Sequence, residues 1–296
     1  MSLSSVLGNS AREVFIPTNG IRLHCIEAGS EDGPLVIFLH GYPEFWYSWR
    51  HQIRYFAERG FRVLAPDQRG YNLSGKPRGL SAYRLDVLAA DMIGLMDHLR
   101  REKAFVVGHD WGGVVAWWLG MQYPERLHKL AILNVPHPTV MRQHLRRNPE
   151  QRRRSRYVFF FQLPWLPERS MRKNNWEMAR KALLKTSLPG TFTEEDIQQY
   201  VQAWSQPGAA TAMINWYRAA LRRKPRPRRD SIRVPVPTLL IWGAQDRFLG
   251  QEMVQPSIEL CDNGQVERID EATHWVQQDV PDKVNRLLEA FFAGKR

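Results

Sequence analysis

The chain reads as an α/β protein with a mostly parallel central sheet flanked by helices and a helical block inserted after the sixth strand. Three observations predict this. Short, fully apolar runs such as 35–39 alternate with segments of helical periodicity, which implies right-handed crossovers and a sheet covered on both faces. At Pro136-His137-Pro138 the alternation stops, and about 95 residues without a strand-like run follow. It resumes at 238–242. The expected division is a core domain from 1–137 and 234–296, and a helical cap domain over 138–233.

The elements follow in order. Residues 13–18 and 21–28 alternate apolar and polar around Asn19-Gly20, a strong hairpin signal. The run 35–39 ends in His40-Gly41-Tyr42-Pro43-Glu44, and a helical stretch over 45–59 stops at Gly60. A short strand at 62–65 leads into Pro66-Asp67-Gln68-Arg69-Gly70-Tyr71 and a loop of turn formers. Leu85, Leu88, Ala89, Met92, Leu95, Met96 and Leu99 recur at helical spacing. Strand 104–107 then ends in Gly108-His109-Asp110-Trp111-Gly112-Gly113, and a helix follows until Pro124 stops it. Residues 127–135 form the sixth strand. The inserted block shows helical stretches at 141–147, 156–161, 175–184, 193–203 and 209–221, the fourth starting on a Thr193-x-x-Asp196 capping pattern. Strands at 238–242 and 265–269 and an amphipathic helix at 281–292 complete the chain.

Composition narrows the function classes. Two distant cysteines, Cys25 and Cys261, argue against a disulfide framework or a cysteine metal cluster and suit a reducing, cytoplasmic setting. Residues 1–10 lack the basic and apolar regions of a signal peptide, and no run approaches the roughly 18 apolar residues of a membrane span. The net charge of +12 is concentrated: residues 138–233 hold 21 Lys+Arg against 7 Asp+Glu, while the remainder holds 21 against 23. A nucleic-acid or anionic-membrane patch is one reading of that excess. A solvated arginine-rich surface is the favoured one, because the basic runs lack the interleaved aromatics of a stacking platform.

In a parallel sheet, sites gather at the C-terminal strand ends, where His40-Gly41, Asp67, Asp110 and Asn134 all fall. The segment 108–112 has the layout of a nucleophile elbow, Gly-x-Ser-x-Gly, with aspartate in place of serine. Asp246 follows the strand at 238–242 and His274 follows the last strand, giving the chain order nucleophile, acid, histidine of the α/β-hydrolase arrangement. An elbow carboxylate is ionised at neutral pH and needs no activating base, so it suits attack on an sp³ carbon to form an ester. His274 would then activate water and Asp246 would orient the imidazole, with Asp270 and Glu271 as competitors for that place. The backbone N–H groups of Tyr42 and Trp111 are the expected oxyanion hole. His109, His40 and His137 read as structural, and Glu44 either positions water or is an exposed loop acid.

The segments His40-Gly41-Tyr42-Pro43-Glu44-Phe45-Trp46, Arg69-Gly70-Tyr71, Gly108-His109-Asp110-Trp111-Gly112-Gly113 and His274-Trp275 resemble those of α/β-hydrolase-fold epoxide hydrolases. The likeness is to the catalytic domain of the soluble enzymes and to single-domain microbial relatives, over residues 13–293. It implies hydrolysis of an epoxide to a vicinal diol without metal or organic cofactor. It also implies two cap tyrosines acting as acids on the epoxide oxygen: Tyr157, in Tyr157-Val158-Phe159-Phe160-Phe161-Gln162, and Tyr217, in Asn215-Trp216-Tyr217-Arg218. Phe45, Phe161 and Trp275, with Trp111 beside them, would line the substrate pocket. Two positions depart from the family's pattern. Tyr42 stands where phenylalanine is common, and only its backbone is expected to matter. The loop Gly70-Tyr71-Asn72-Leu73-Ser74 lacks the usual glycine at 72.

Haloalkane or haloacid dehalogenases share the aspartate elbow and are the alternative. Their halide departs toward N–H donors, whereas Tyr42 occupies the place of the usual asparagine and the two tyrosines would have no task. A non-catalytic binding protein is the distant alternative. The expected partners are a small epoxide and water, with no nucleic acid and no membrane span. The sequence leaves monomer and homodimer both open.

Overall fold

The computed structural model describes residues 3–8 and 11–294. The reading of 1–10 as free of a leader falls partly on positions 1, 2, 9 and 10, which lie outside the described residues. Eight strands form one sheet among the described residues: β1 (Arg12–Thr18), β2 (Ile21–Gly29), β3 (Leu35–Leu39), β4 (Arg62–Pro66), β5 (Ala104–His109), β6 (Leu127–Leu133), β7 (Thr238–Gly243) and β8 (Gly264–Ile269). Their spatial order is β1-β2-β4-β3-β5-β6-β7-β8. β1 and β2 form the expected hairpin, with Asn19 and Gly20 both at positive φ, as a tight turn between twisted strands requires. β2 meets β4 antiparallel, and every pairing from β4 to β8 is parallel. All residues of β3 and β7 are buried, as fits strands covered on both faces.

The helices before the sixth strand are α1 (Leu3–Leu7), α2 (Arg50–Ala57), α3 (Leu85–His98) and α4 (Asp110–Gln122). The stretch expected as one helix over 45–59 splits into a 3-10 turn at Trp46–Trp49 and α2. Phe45 is extended, and the Trp46 N–H is held by Asp67 Oδ1 at 2.9 Å, so the chain enters the helix late.

Between β6 and β7 lie α5 (Pro138–Arg147), α6 (Pro149–Arg154), α7 (Arg156–Phe160), α8 (Leu166–Thr186), α9 (Glu194–Trp204) and α10 (Ala209–Arg222), with no strand among the described residues. α6 escapes a periodicity reading because Gln151 is its single buried side chain, so it has no apolar stripe. α8 is two helical stretches joined at a kink, where Asn174, Asn175 and Trp176 take positive φ. α9 opens on the reciprocal Thr193–Asp196 capping box. The remaining helices are α11 (Val254–Ile258), α12 (Val276–Asp279) and α13 (Pro281–Phe292).

Polar contacts seat the inserted helices on the C-terminal edge of the sheet. The indole N–H of Trp216 donates to the Arg69 carbonyl at 2.9 Å, and that of Trp275 to Thr186 Oγ1 at 2.8 Å. The Tyr47 hydroxyl donates to Asp196 Oδ1 at 2.8 Å. These are buried or half-buried groups whose bonds would otherwise be lost, so they fix position as well as adding burial.

Candidate active site

β5 ends at His109, and Asp110 begins α4 with φ at 48°, a left-handed conformation that lifts its carboxylate out of the turn. Glycines make room for this. A Cβ on Gly41 would sit 2.5 Å from the Asp110 Cβ, and one on Gly112 would sit 2.1 Å from the Leu39 carbonyl oxygen. The loop after β3 can therefore lie directly against the elbow. Its Tyr42 N–H donates to Asp110 Oδ1 at 2.8 Å, and the Trp111 N–H also bonds this carboxylate. Burial raises the Asp110 carboxyl above its usual range; His274 and His109, with the two N–H groups, oppose the shift.

His274 lies in the loop after β8. Its Nε2 is 3.8 Å from Asp110 Oδ2, and its Nδ1 is 2.7 Å from Asp246 Oδ2. Asp246 is held on every side. Oδ1 accepts the N–H groups of Phe248 and Leu249 at 2.7 and 2.9 Å, and Oδ2 also accepts Asn134 Nδ2 at 2.8 Å. Burial works against ionisation of Asp246, but His274 and these donors outweigh it and hold the carboxyl below its usual range. Burial alone would lower His274; the charge and hydrogen bond of Asp246, with Asp110 and Glu44 adding, push it up to about 9. The competitors are elsewhere: Asp270 pairs with Arg268 and Glu271 with Lys283 on the surface.

That raised value has a measurable consequence. A group with a folded value of about 9 and an ordinary value of 6.5 contributes stability that is complete below pH 6.5 and lost as pH rises through 9. Thermal unfolding from pH 6.5 to 9 should therefore show a smaller loss of Tm for His274→Gln than for the native chain. Parallel profiles would show that the imidazole is not held charged.

Behind the elbow, Glu44 is buried, not exposed. It accepts His109 Nδ1 at 2.7 Å and Gln278 Nε2 at 2.8 Å, and His109 Nε2 donates to the His274 carbonyl at 2.8 Å. This chain of bonds runs from the loop after β3 to the loop that carries the imidazole.

A cavity of about 190 Å³ opens above Asp110. Tyr157, Tyr217, Phe161, Trp275 and His274 line it with Phe248 and Met178. Tyr157 on α7 and Tyr217 on α10 meet edge-on in its wall, their ring centroids 5.8 Å apart. Gln162 ties these helices together by donating to the Val158 and Tyr217 carbonyls at 3.1 and 3.2 Å. Burial, reinforced by the negative charge of Asp110, raises both phenols above their ordinary value, so both keep their protons.

Three side chains lie differently from the sequence expectation. Phe45 does not line this cavity; it stacks on Tyr47, meets Tyr200 edge-on and faces a second cavity, because the chain turns away after Glu44. Trp111 stands edge-on against Tyr217, with ring centroids 5.0 Å apart, supporting that phenol from the side. Tyr42 contributes more than its backbone: its ring lines the cavity between Phe161 and Tyr217, and its hydroxyl meets Met171 Sδ at 3.1 Å. Among the described residues, no group of three or more His, Cys, Asp or Glu side chains is placed to hold a metal ion.

A family model for the alpha/beta hydrolase fold matches residues 34–281. The chain belongs to the α/β hydrolase family. It is 48% identical over 274 residues to the AB hydrolase superfamily protein YfhM of Bacillus subtilis (93% of this chain, 95% of that protein). It is 41% identical to epoxide hydrolase 4 of Mus musculus, over 94% of this chain and 78% of that protein. Among solved structures it is similar to the Bacillus megaterium epoxide hydrolase in complex with an inhibitor, with a TM-score of 0.86, 35% identity and coverage of 95% and 100% of the two chains. Within the α/β hydrolases, the chain thus stands with the epoxide hydrolases.

This α/β hydrolase uses two residues whose tasks the sequence did not disclose. Asn134, at positive φ just past β6, anchors the Asp246 loop, because its Oδ1 also accepts the Gly243 N–H at 2.8 Å. Asn72 stands where the family commonly has glycine. It takes φ of 39°, which asparagine tolerates, and donates to Asp67 Oδ2 at 2.7 Å.

Proposed function

We propose that this chain hydrolyses epoxides to vicinal diols through an ester on Asp110, beneath a helical cap formed by residues 138–233. The observation that carries the reading is the pair of protonated phenols, Tyr157 and Tyr217, that lie edge-on to each other in one apolar cavity with the Asp110 carboxylate. An epoxide oxygen leaves as an alkoxide, which is too basic to depart unaided. A halide needs no proton, so this arrangement suits ring opening better than dehalogenation.

In the first step Asp110 Oδ2 attacks a ring carbon and the C–O bond breaks. The oxygen takes a proton from the tyrosine pair. Oδ1, on the Tyr42 N–H, becomes the ester carbonyl oxygen. In the second step His274 Nε2 takes a proton from water as the water attacks that carbonyl. The N–H groups of Tyr42 and Trp111 hold the tetrahedral oxyanion. Collapse releases the diol's second oxygen, which takes the remaining proton of the added water and leaves Asp110 a carboxylate, and the imidazolium proton returns to the tyrosinate. Asp246 keeps the imidazole oriented throughout. The relatives and structures named as epoxide hydrolases support this reading.

A single turnover in ¹⁸O-labelled water with excess enzyme tests the covalent step. Label should appear in Asp110 and not in the first diol released. Label in that diol with none in Asp110 would mean direct attack by water and would end the proposal.

A further inference from the structure

Two surface features of the inserted helices take no part in the chemistry, and they meet. The first is an apolar outcrop. Between α7 and α8 the chain runs Leu163-Pro164-Trp165-Leu166 with all four residues exposed; Trp165 is 68% exposed, and Phe159 just before them is 57% exposed. The outcrop is fixed in place. Arg218 donates to the Leu163 carbonyl at 2.5 Å and the Phe161 carbonyl at 2.9 Å, and pairs with buried Glu168 at 2.6 Å. A backbone anchored in this way presents exposed apolar side chains that a partner can cover.

The second feature is cationic. Arg222, in the last turn of α10, donates to Gln162 Oε1 at 3.0 Å at the root of the same outcrop. Leu221 beside it is 51% exposed, and Arg223, Lys224 and Arg226 follow. Arg156 precedes Phe159 by three residues on α7, and Arg169 follows Trp165 by one helical turn. Among the described residues none of these six cations forms an ion pair, whereas Arg218 and Arg228 are neutralised by Glu168 and Glu125. The six belong to the basic excess of residues 138–233 that internal pairing leaves over. The same two helices reach the cavity: Phe160 of α7 and Met178 of α8 line it, and Met178 is 42% exposed.

We infer that this face docks on an anionic phospholipid bilayer, with Phe159 and residues 163–166 entering the headgroup boundary and the arginines meeting lipid phosphates. Tryptophan and leucine partition into that boundary, and juxtamembrane cations strengthen binding on an anionic surface. A nucleic acid would satisfy the arginines but would leave leucine and proline uncovered. A second copy of the chain would bring like charges together. The inference rests on the surface alone and holds whatever reaction the cavity performs.

Co-sedimentation with vesicles of phosphatidylcholine, with and without phosphatidylglycerol, tests it. The native chain should bind the anionic vesicles at least about tenfold more tightly, and raised salt should weaken that binding. Trp165→Ser with Leu166→Ser should lose roughly tenfold on the same vesicles. Arg222→Gln with Arg223→Gln and Lys224→Gln should cut the preference for anionic lipid severalfold, the remaining cations keeping part of it. Brominated acyl chains should quench a fluorescence component that Trp165→Phe lacks. These positions are exposed, and unchanged Tm would show that the variants fold. The inference is overturned by no vesicle binding, by binding indifferent to Trp165 and Leu166, by duplex DNA bound more tightly than vesicles, or by a dimer that shields Trp165 without lipid.

Discussion

Replacing His274 by glutamine should leave a protein that opens one epoxide and then stops. Steady-state turnover should fall by about 10³- to 10⁴-fold, the scale of a lost general base. The intact protein should gain the mass of one substrate molecule, located on Asp110 after proteolysis. The electrostatics explain why the two steps separate. In the resting site the imidazole lies between two carboxylates, Asp246 at 2.7 Å and Asp110 at 3.8 Å, and its value is pushed up to about 9. Esterification removes the negative charge of Asp110. One of the groups that kept His274 protonated is then gone, and the imidazole moves toward the range in which it can accept a proton from water. Glutamine retains a donor toward Asp246 but cannot take up a proton, so attack on the ester fails while ring opening survives. The native enzyme should show the same division with pH: in acid its turnover declines while the initial burst of alkyl-enzyme persists. A glutamine variant that turns over at the native rate, or accumulates no adduct, would remove His274 from the second step.

The parts of this architecture legible in the sequence are those fixed by local pattern. β3 and β7 are wholly apolar because both sheet faces are covered, so composition alone marks them. Asp110, Asp246 and His274 could be placed near one another because a parallel sheet brings its C-terminal ends together, whatever the sequence separation. What escaped depends on tertiary bonds between distant segments. Asn134 reaches Asp246 across 112 residues, and Glu44 reaches Gln278 across 234. Neither pair has a spacing that a linear reading could register. Phe45 and Tyr42 show a second limit. Both flank the same loop, and which ring faces the cavity is set by the turn at Glu44, itself pinned by His109 and by the Trp46 bond to Asp67. α6 was invisible for a third reason: an arginine-rich helix with one buried side chain has no stripe to detect.

Replacing Tyr157 and Tyr217 together by phenylalanine should abolish epoxide opening, by more than about 10⁴-fold, while leaving substrate binding nearly intact. The two rings occupy the cavity wall with Phe161 and Trp275, so removing two hydroxyl oxygens changes little of the apolar surface that grips a substrate. What is lost is the proton. Burial and the nearby Asp110 charge raise both phenols, which keeps them protonated in the resting protein and, on the proposed reading, able to donate to the epoxide oxygen. The two rings are in contact and would share one substrate oxygen, so the single variants should not add up to the double one. Each single variant should retain measurable activity, roughly 10²-fold reduced, because the remaining hydroxyl still reaches the oxygen. A substrate whose leaving group needs no proton, such as an alkyl halide small enough for the 190 Å³ cavity, separates the acid role from a structural one. Any halide displacement the native chain performs should survive in the double variant. Equal loss of both reactions would point to a collapsed site, and undiminished diol formation would refute the tyrosines as acids.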